Sequence, residues 1–99
     1  MTTKVRRSSG NVFRDLGLPD AEAENLRIRS ELIAQLRKVI ENQGLTQARA
    51  ARLLGVTQPR VSDLIRGRIE LFSIDMLVNM LAKAGVRVTM TARTRTRAA

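Results

Sequence analysis

The sequence contains no cysteine and no histidine. Without cysteine there is no disulfide and no thiolate nucleophile, and without histidine there is no imidazole to act as an acid, a base or a ligand. These absences exclude the common zinc sites and the Cys–His and Ser–His–Asp catalytic systems. Since no glycine-rich phosphate loop and no cleft with paired carboxylates is recognisable either, we predict that the protein is not an enzyme and holds no cofactor or metal.

Aromatic residues and long apolar runs are also scarce. Aromatic residues make up 2% of the 99 positions, whereas hydrophobic residues make up 43%. A core of this composition is aliphatic, which suits packed helices better than a β-sandwich. No apolar run reaches the roughly 18 residues that a membrane-spanning helix needs, and the basic N-terminus lacks the apolar stretch of a secretory signal. We therefore expect a protein of the cytoplasm that does not cross a membrane.

Acidic residues are outnumbered two to one, with 9 Asp and Glu against 18 Lys and Arg and a formal net charge of +9. Residues 1–10 are basic, polar and small, with too little apolar surface to offset the entropy of ordering. Residues 85–99 contain four arginines and no acidic residue. We predict a flexible basic arm at 1–10, one folded domain at 11–92 and a flexible basic tail at 93–99. The charge favours a polyanionic partner.

Five helical segments are predicted from apolar periodicity, hydroxyl caps and glycines. A short turn follows Asn11, and a long helix with Asp20 as its N-cap ends at Gly44. Three short helices follow, each between a hydroxyl N-cap and a glycine, over residues 47–54, 58–66 and 74–84. Their caps are Thr46, Thr57 and Ser73. Because Pro59 lacks an N–H, we expect the Thr57 hydroxyl to accept from the Arg60 N–H.

After Gly85 the hydrophobic period changes from helical spacing to two. Val86, Val88 and Met90 alternate with arginine and threonine, which predicts a half-buried β-strand over 86–91. No second strand is evident in the sequence, so this strand would have to pair with a second copy or with another protein. We predict a homodimer through these three residues and the helix at 74–84.

Two of the predicted helices form a helix-turn-helix pattern. The helices at 47–54 and 58–66 are separated by only three residues, and Ala51, Gly55 and Val61 stand at spacings typical of this motif. In such a pair the second helix enters the major groove of DNA, N-terminus first.

The segment LTQARAARLLGVTQPRVSDLIRGR resembles the helix-turn-helix of the Xre family, the lambda-repressor and Cro-like transcriptional regulators. The wider stretch, from NVFRDLGLPD through IELFSIDMLVNMLAKAGVRVTM, is more narrowly similar to the HigA-type group, whose small DNA-binding members are often encoded beside a RelE-like toxin. The resemblance covers about 11–92. It implies an all-α, lambda-repressor-like five-helix domain, here with the added C-terminal strand, and a bacterial cytoplasmic protein that joins the nucleoid when bound to DNA.

The resemblance also implies which residues contact double-stranded DNA. Those on the face presented to base edges are Gln58, Pro59, Arg60 and Asp63. Those expected to contact phosphate are Thr46, Gln47, Thr57, Arg66 and Arg68. Chemically, the Gln58 amide suits adenine and the Arg60 guanidinium suits guanine. Asp63 either accepts from cytosine or pairs with Arg60 or Arg66 one helical turn away.

Three functions remain open at this point. The first is a sequence-specific regulator that represses its own operon by binding a palindromic operator as a dimer. The second is an antitoxin whose main role is to bind and neutralise a RelE-like toxin. The third is binding of nucleic acid without sequence preference through the basic ends.

Overall fold

The computed structural model describes residues 11–94. The predicted basic arm at 1–10 and the last five residues of the predicted tail lie outside the described residues. Five α-helices and one 3-10 helix make up the described part, so the prediction of five helical segments is confirmed. They are α1 (Val12–Asp15), α2 (Asp20–Asn42), α3 (Gln47–Leu54), α4 (Gln58–Ile65), the 3-10 helix (Ile69–Leu71) and α5 (Ile74–Lys83).

The core is aliphatic, as the composition predicts, and α2 lies at its centre. Helix α2 packs against α1, α4 and α5, while α3 packs against α4 and α5. The largest fully buried or nearly fully buried side chains come from α2, α3, α4 and α5 and from Phe72: they are Leu36, Leu54, Val61, Leu64, Phe72, Leu77 and Leu81. Their burial holds α4 against α2 and α3 against α4 and α5. Among residues 11–94, no helix has the length and apolar character needed to cross a membrane.

The hydroxyl caps are where the sequence predicts them. Thr46 Oγ1 accepts from the Arg49 N–H at 3.2 Å and begins α3. Thr57 Oγ1 accepts from the Arg60 N–H at 3.3 Å and begins α4, which confirms the bond that Pro59 dictates. Ser73 Oγ caps α5 in the same way, through the Met76 N–H at 3.3 Å. These bonds satisfy backbone donors that have no partner within their helices.

The first two helices also begin with a side-chain contact, although one cap differs from the prediction. Asn11 caps α1 through its Oδ1 and donates from Nδ2 to the Ala23 carbonyl of α2 at 3.1 Å. Asp20 was expected to be the N-cap of α2 and is instead its first helical residue, because Pro19 occupies the cap position. The Asp20 carboxylate accepts from Arg14 Nε at 3.1 Å. It still lies in the first turn, where negative charge favours the helix.

The prediction of a β-strand at 86–91 is wrong, because residues 86–94 form neither helix nor strand. A strand needs a neighbour for its backbone groups, and no segment within residues 11–94 pairs with this one. The alternation has another cause: Val86 and Val88 pack half-buried against the helical core, while Met90 is 68% exposed. An irregular segment with one side against the core therefore shows the same alternation of hydrophobic and polar residues as a half-buried strand.

Candidate nucleic-acid interface

The turn between α3 and α4 is formed by Gly55, Val56 and Thr57. Gly55 adopts a left-handed conformation with φ of 71°, and the Val56 N–H donates to the Ala51 carbonyl at 3.0 Å. The side chain of Lys83, at the end of α5, lies across the glycine: a Cβ atom on Gly55 would be 2.7 Å from Lys83 Cδ. The turn therefore requires glycine for its backbone conformation, while the exposed and flexible Lys83 side chain can move aside.

Most of the side chains predicted to contact DNA are exposed. The seven exposed ones are Thr46, Gln47, Thr57, Gln58, Pro59, Arg66 and Arg68, whereas Arg60 and Asp63 are half-buried. Helix α4 directs Val61 and Leu64 into the core. The two threonine hydroxyls accept cap bonds, and each still has its own proton to donate to an acceptor such as a phosphate oxygen.

Ser62 is a further residue of this helix that the sequence interpretation missed. It lies three positions after Pro59 and four before Arg66, so all three share one side of the helical path. Ser62 is half-buried, while Pro59 and Arg66 are exposed. Its spacing from Pro59 and Arg66 within the predicted helix at 58–66 is the signal that could have identified it as a candidate contact residue.

Arg60 makes several contacts inside the protein. Its Nη1 donates to the Leu71 carbonyl at 3.2 Å, and its guanidinium carbon lies 5.5 Å from the centroid of the Phe72 ring. The same nitrogen is 3.9 Å from Asp63 Oδ2. These groups compete with any base for the guanidinium. The pairing with Asp63 is long and partly exposed, so its own contribution to stability is small.

The turn after α4 carries two arginines. Arg66 and Arg68 flank Gly67, whose φ is 72°. The turn is closed by the Gly67 N–H, which donates to Leu64 O at 3.0 Å, and by the Arg68 N–H, which donates to Asp63 O at 3.0 Å. Neither arginine forms an ion pair with another residue in the 11–94 range. Both guanidinium groups therefore remain available to an external anion.

Arg37 of α2 also approaches this turn. Arg37 Nη1 would be 4.0 Å from a Cβ atom on Gly67, and Arg37 is exposed. Like its two neighbours, it forms no ion pair with any described residue. The sequence interpretation missed Arg37, because about thirty positions separate it from the turn and no local pattern connects them.

The residues that follow the turn are attached to α2 by Arg29. Its Nη1 donates to the carbonyls of Ile69 and Phe72, both at 3.2 Å, and its Nε donates to Asn25 Oδ1 at 2.6 Å. Together with the Arg60 bond to Leu71, this means that guanidinium groups bind three carbonyls of the short segment 69–72. The sequence interpretation did not include Arg29, since its acceptors lie forty or more positions away.

Two short capped helices, a left-handed glycine between them and a basic turn after the second define a helix-turn-helix DNA-binding domain. The helix-turn-helix domain family matches residues 12–93 of this chain. A solved structure that carries the name "Putative XRE Family Transcriptional Regulator" is 34% identical, with a TM-score of 0.70, over 82% of this chain and 89% of its own. No curated protein matches the sequence. The chain belongs to the Xre family of helix-turn-helix regulators.

Proposed function

We propose that this protein is a transcriptional repressor of its own operon, which binds a palindromic operator as a homodimer with α4 in the major groove. The observation that carries the proposal is the exposed start of α4. Gln58 and Pro59 lie directly after the capped turn and are exposed, while Val61 and Leu64, further along the helix, are buried and fix α4 in the core. A rigid helix with an exposed N-terminal end is the element that this class of protein inserts into DNA.

We assign base contacts to Gln58, Pro59, Arg60 and Asp63. Gln58 is the first residue of α4, and its amide suits the donor and acceptor pair of adenine. Arg60 suits guanine, provided that its guanidinium exchanges the Leu71 carbonyl for the base. Release of Arg60 would also free Asp63 to accept from cytosine.

We assign phosphate contacts to Thr46, Gln47, Thr57, Arg66 and Arg68. The first three lie at the starts of α3 and α4, where the helix dipole and the free N–H groups favour an anion. Arg66 and Arg68 lie in the turn after α4 and lack carboxylate partners among the described residues. Contacts of this kind set the register on the duplex without reading sequence.

Dimerisation follows from the small amount of sequence that one helix can read. Each mismatched base pair costs about 1–3 kcal/mol, so a palindrome read by two copies doubles the discrimination. The proposed surface consists of α5 with Val86, Val88 and Met90. It is supported by a groove of about 590 Å³ between α2, α5 and the C-terminal segment. Its apolar lining residues include Ile28, Leu32, Ile74, Val78, Val88 and Met90, and charged residues, Glu24, Arg27, Glu31 and Arg93, also line it.

The dimer surface is tested by the mass of the protein in solution. Met90→Asp places a charge in the groove, and we expect it to convert dimer to monomer. Leu16→Asp is the matched control, since Leu16 is 74% exposed and does not line the groove. A Met90→Asp protein that stays dimeric would contradict the assignment.

The base and phosphate roles are separated by titration of operator and scrambled duplexes. Arg60→Ala should weaken binding to the operator by about 1–3 kcal/mol and leave scrambled DNA almost unchanged, because only the operator offers the guanine. Arg66→Ala should weaken both alike. If Arg60→Ala weakens both equally, its role is structural and the base assignment is wrong.

A second candidate is an antitoxin that binds a RelE-like toxin. It is supported by the similarity of residues 11–92 to the HigA-type group and by the same groove between α2, α5 and the C-terminal segment. The discriminating observation is a neighbouring gene for a small basic protein of that kind. Co-expression followed by a pull-down decides between the two roles. An antitoxin brings the neighbouring gene's product down with the tagged chain, whereas a repressor without a toxin does not.

A further inference from the structure

The segment 69–72, which joins the basic turn to α5, is held from two sides. Arg29 of α2 binds the carbonyls of Ile69 and Phe72, and Arg60 of α4 binds the carbonyl of Leu71. Hydrogen bonds from a charged donor are stronger than those between neutral groups. The position of this segment is therefore set by side chains from two helices in addition to its own backbone bonds.

Arg29 is the more firmly placed of the two arginines. Both are half-buried, but the guanidinium of Arg29 donates three hydrogen bonds and that of Arg60 donates one. The bond from Arg29 Nε to Asn25 Oδ1 orients the planar group on the helix surface. Arg60 has an alternative use, because the proposed function requires it to turn towards a base. Whenever Arg60 does so, Arg29 is the guanidinium that still holds the segment.

The held segment is continuous with the turn that carries the phosphate contacts. Arg68 directly precedes Ile69, the Ile69 N–H donates to the Gly67 carbonyl at 2.8 Å, and the Arg68 N–H donates to the Asp63 carbonyl at 3.0 Å. The turn is thus fixed at one end by α4 and at the other end by Arg29. The backbone of Arg66 is held by α4, since its N–H donates to the Ser62 carbonyl at 3.0 Å, whereas Arg68 lies between the two anchors.

We propose that Arg29 is a positioning residue for the DNA backbone: it anchors Ile69 and Phe72 and thereby holds the adjacent Arg68 in register with a phosphate. The inference rests on the proposed DNA binding. Arg29 itself does not touch the nucleic acid. Its effect is on how many phosphates the turn neutralises, and not on which bases α4 reads.

The anchoring is tested first without DNA, by amide hydrogen exchange of the full chain. Arg29→Met should accelerate exchange at Leu71 and Phe72, whose N–H groups donate to the carbonyls of Arg68 and Ile69 at 3.1 and 3.2 Å. Arg27→Met is the matched control: it removes the same charge from the same helix, but Arg27 binds Glu24 and Glu31. Because Arg27 also lines the groove of the proposed dimer surface, the control is used once its mass in solution is shown to equal that of the wild type. Exchange that is unchanged in Arg29→Met, or accelerated equally in Arg27→Met, would overturn the anchoring.

The positioning is tested by the salt dependence of duplex binding. The slope of log affinity against log salt concentration should fall by about 1 in Arg29→Met, as one lost phosphate contact lowers it by about one. The preference for operator over scrambled duplex should persist. Arg29→Lys keeps the charge without the guanidinium geometry, so we expect the same loss, whereas Arg27→Met should keep the wild-type slope.

The other results distinguish failure of this inference from failure of the proposed function. A slope restored by Arg29→Lys means that Arg29 supplies charge alone, and an unchanged slope with a lower melting temperature means that its role is only structural. Equal affinity of the wild type for operator and scrambled duplex overturns sequence-specific regulation but not the positioning, because the slope counts phosphates on either DNA. A wild type that binds no duplex overturns both.

Discussion

The helix-turn-helix at residues 46–65 and the connection at 66–73 are adjacent in the chain, but different contacts hold them. In the helix-turn-helix, each cap joins residues three positions apart, as in Thr57 and Arg60. In the connection, the anchoring bonds from Arg29 span 40 and 43 positions. The first region is specified by its own short sequence. The second depends on a helix that ends well before it, so a change in α2 can alter the surface presented to DNA.

The largest effect that we expect comes from the connection, at Phe72. Its side chain is 2% exposed and lies under the Arg60 guanidinium. Phe72→Ala should lower the free energy of unfolding by about 3–5 kcal/mol, because it removes a large buried ring and leaves a cavity. Denaturation in urea measures this loss. A loss below about 1 kcal/mol would show that the connection is not coupled to the core.

Phe72→Leu separates the contribution of the aromatic ring from that of the buried volume. It keeps most of the buried volume and removes the aromatic ring beneath Arg60, so we expect a loss of less than about 1.5 kcal/mol. If the two variants lose equal stability, the ring itself is the essential feature and the volume is not.

Gly55 and Gly67, two of the left-handed glycines, allow a direct comparison of the two regions. Their φ angles are nearly equal, 71° and 72°, but a Cβ atom on Gly55 would meet Lys83 at 2.7 Å, whereas on Gly67 the nearest atom is 4.0 Å away. Because the Lys83 side chain is exposed and can move aside, Gly55→Ala and Gly67→Ala should each cost about 1–2 kcal/mol through backbone strain. Urea denaturation measures both. A much larger loss in Gly55→Ala would mean that Lys83 is held in place.

The smallest effect concerns the cap of α4. Thr57→Ala should lower the free energy of unfolding by about 1 kcal/mol, because the Arg60 N–H loses its acceptor. Thr57→Ser retains the hydroxyl and should recover most of the loss in the same thermal or urea unfolding measurement. A serine variant as unstable as the alanine variant would assign the effect to the lost methyl group instead.

Local contacts explain what the sequence predicted well. Hydroxyl caps, the glycine turns and apolar spacing lie within a few residues of the helices they delimit, so α3 begins and ends as predicted and the cap from Thr57 to Arg60 is confirmed. The predicted helices at 58–66 and 74–84 end one residue earlier in the structure, at Ile65 and Lys83, which is within ordinary uncertainty of helix ends.

Contacts between distant residues explain what was missed. The alternation after Gly85 has the same appearance whether the segment pairs as a strand or lies on its own core, and only the fold distinguishes the two. The 3-10 helix at Ile69–Leu71, its anchor Arg29 and the approach of Arg37 to Gly67 also require the tertiary structure. No pattern within a short window encodes them.

The central claim is that α4 reads a particular DNA sequence. The most direct measurement is the affinity of the wild-type chain for the DNA upstream of its own gene and for a scrambled duplex of equal length, at one salt concentration. We predict a preference of about a thousandfold or more for the upstream DNA, reduced when Gln58, at the exposed start of α4, is replaced by alanine. Equal affinity for the two duplexes would contradict the claim.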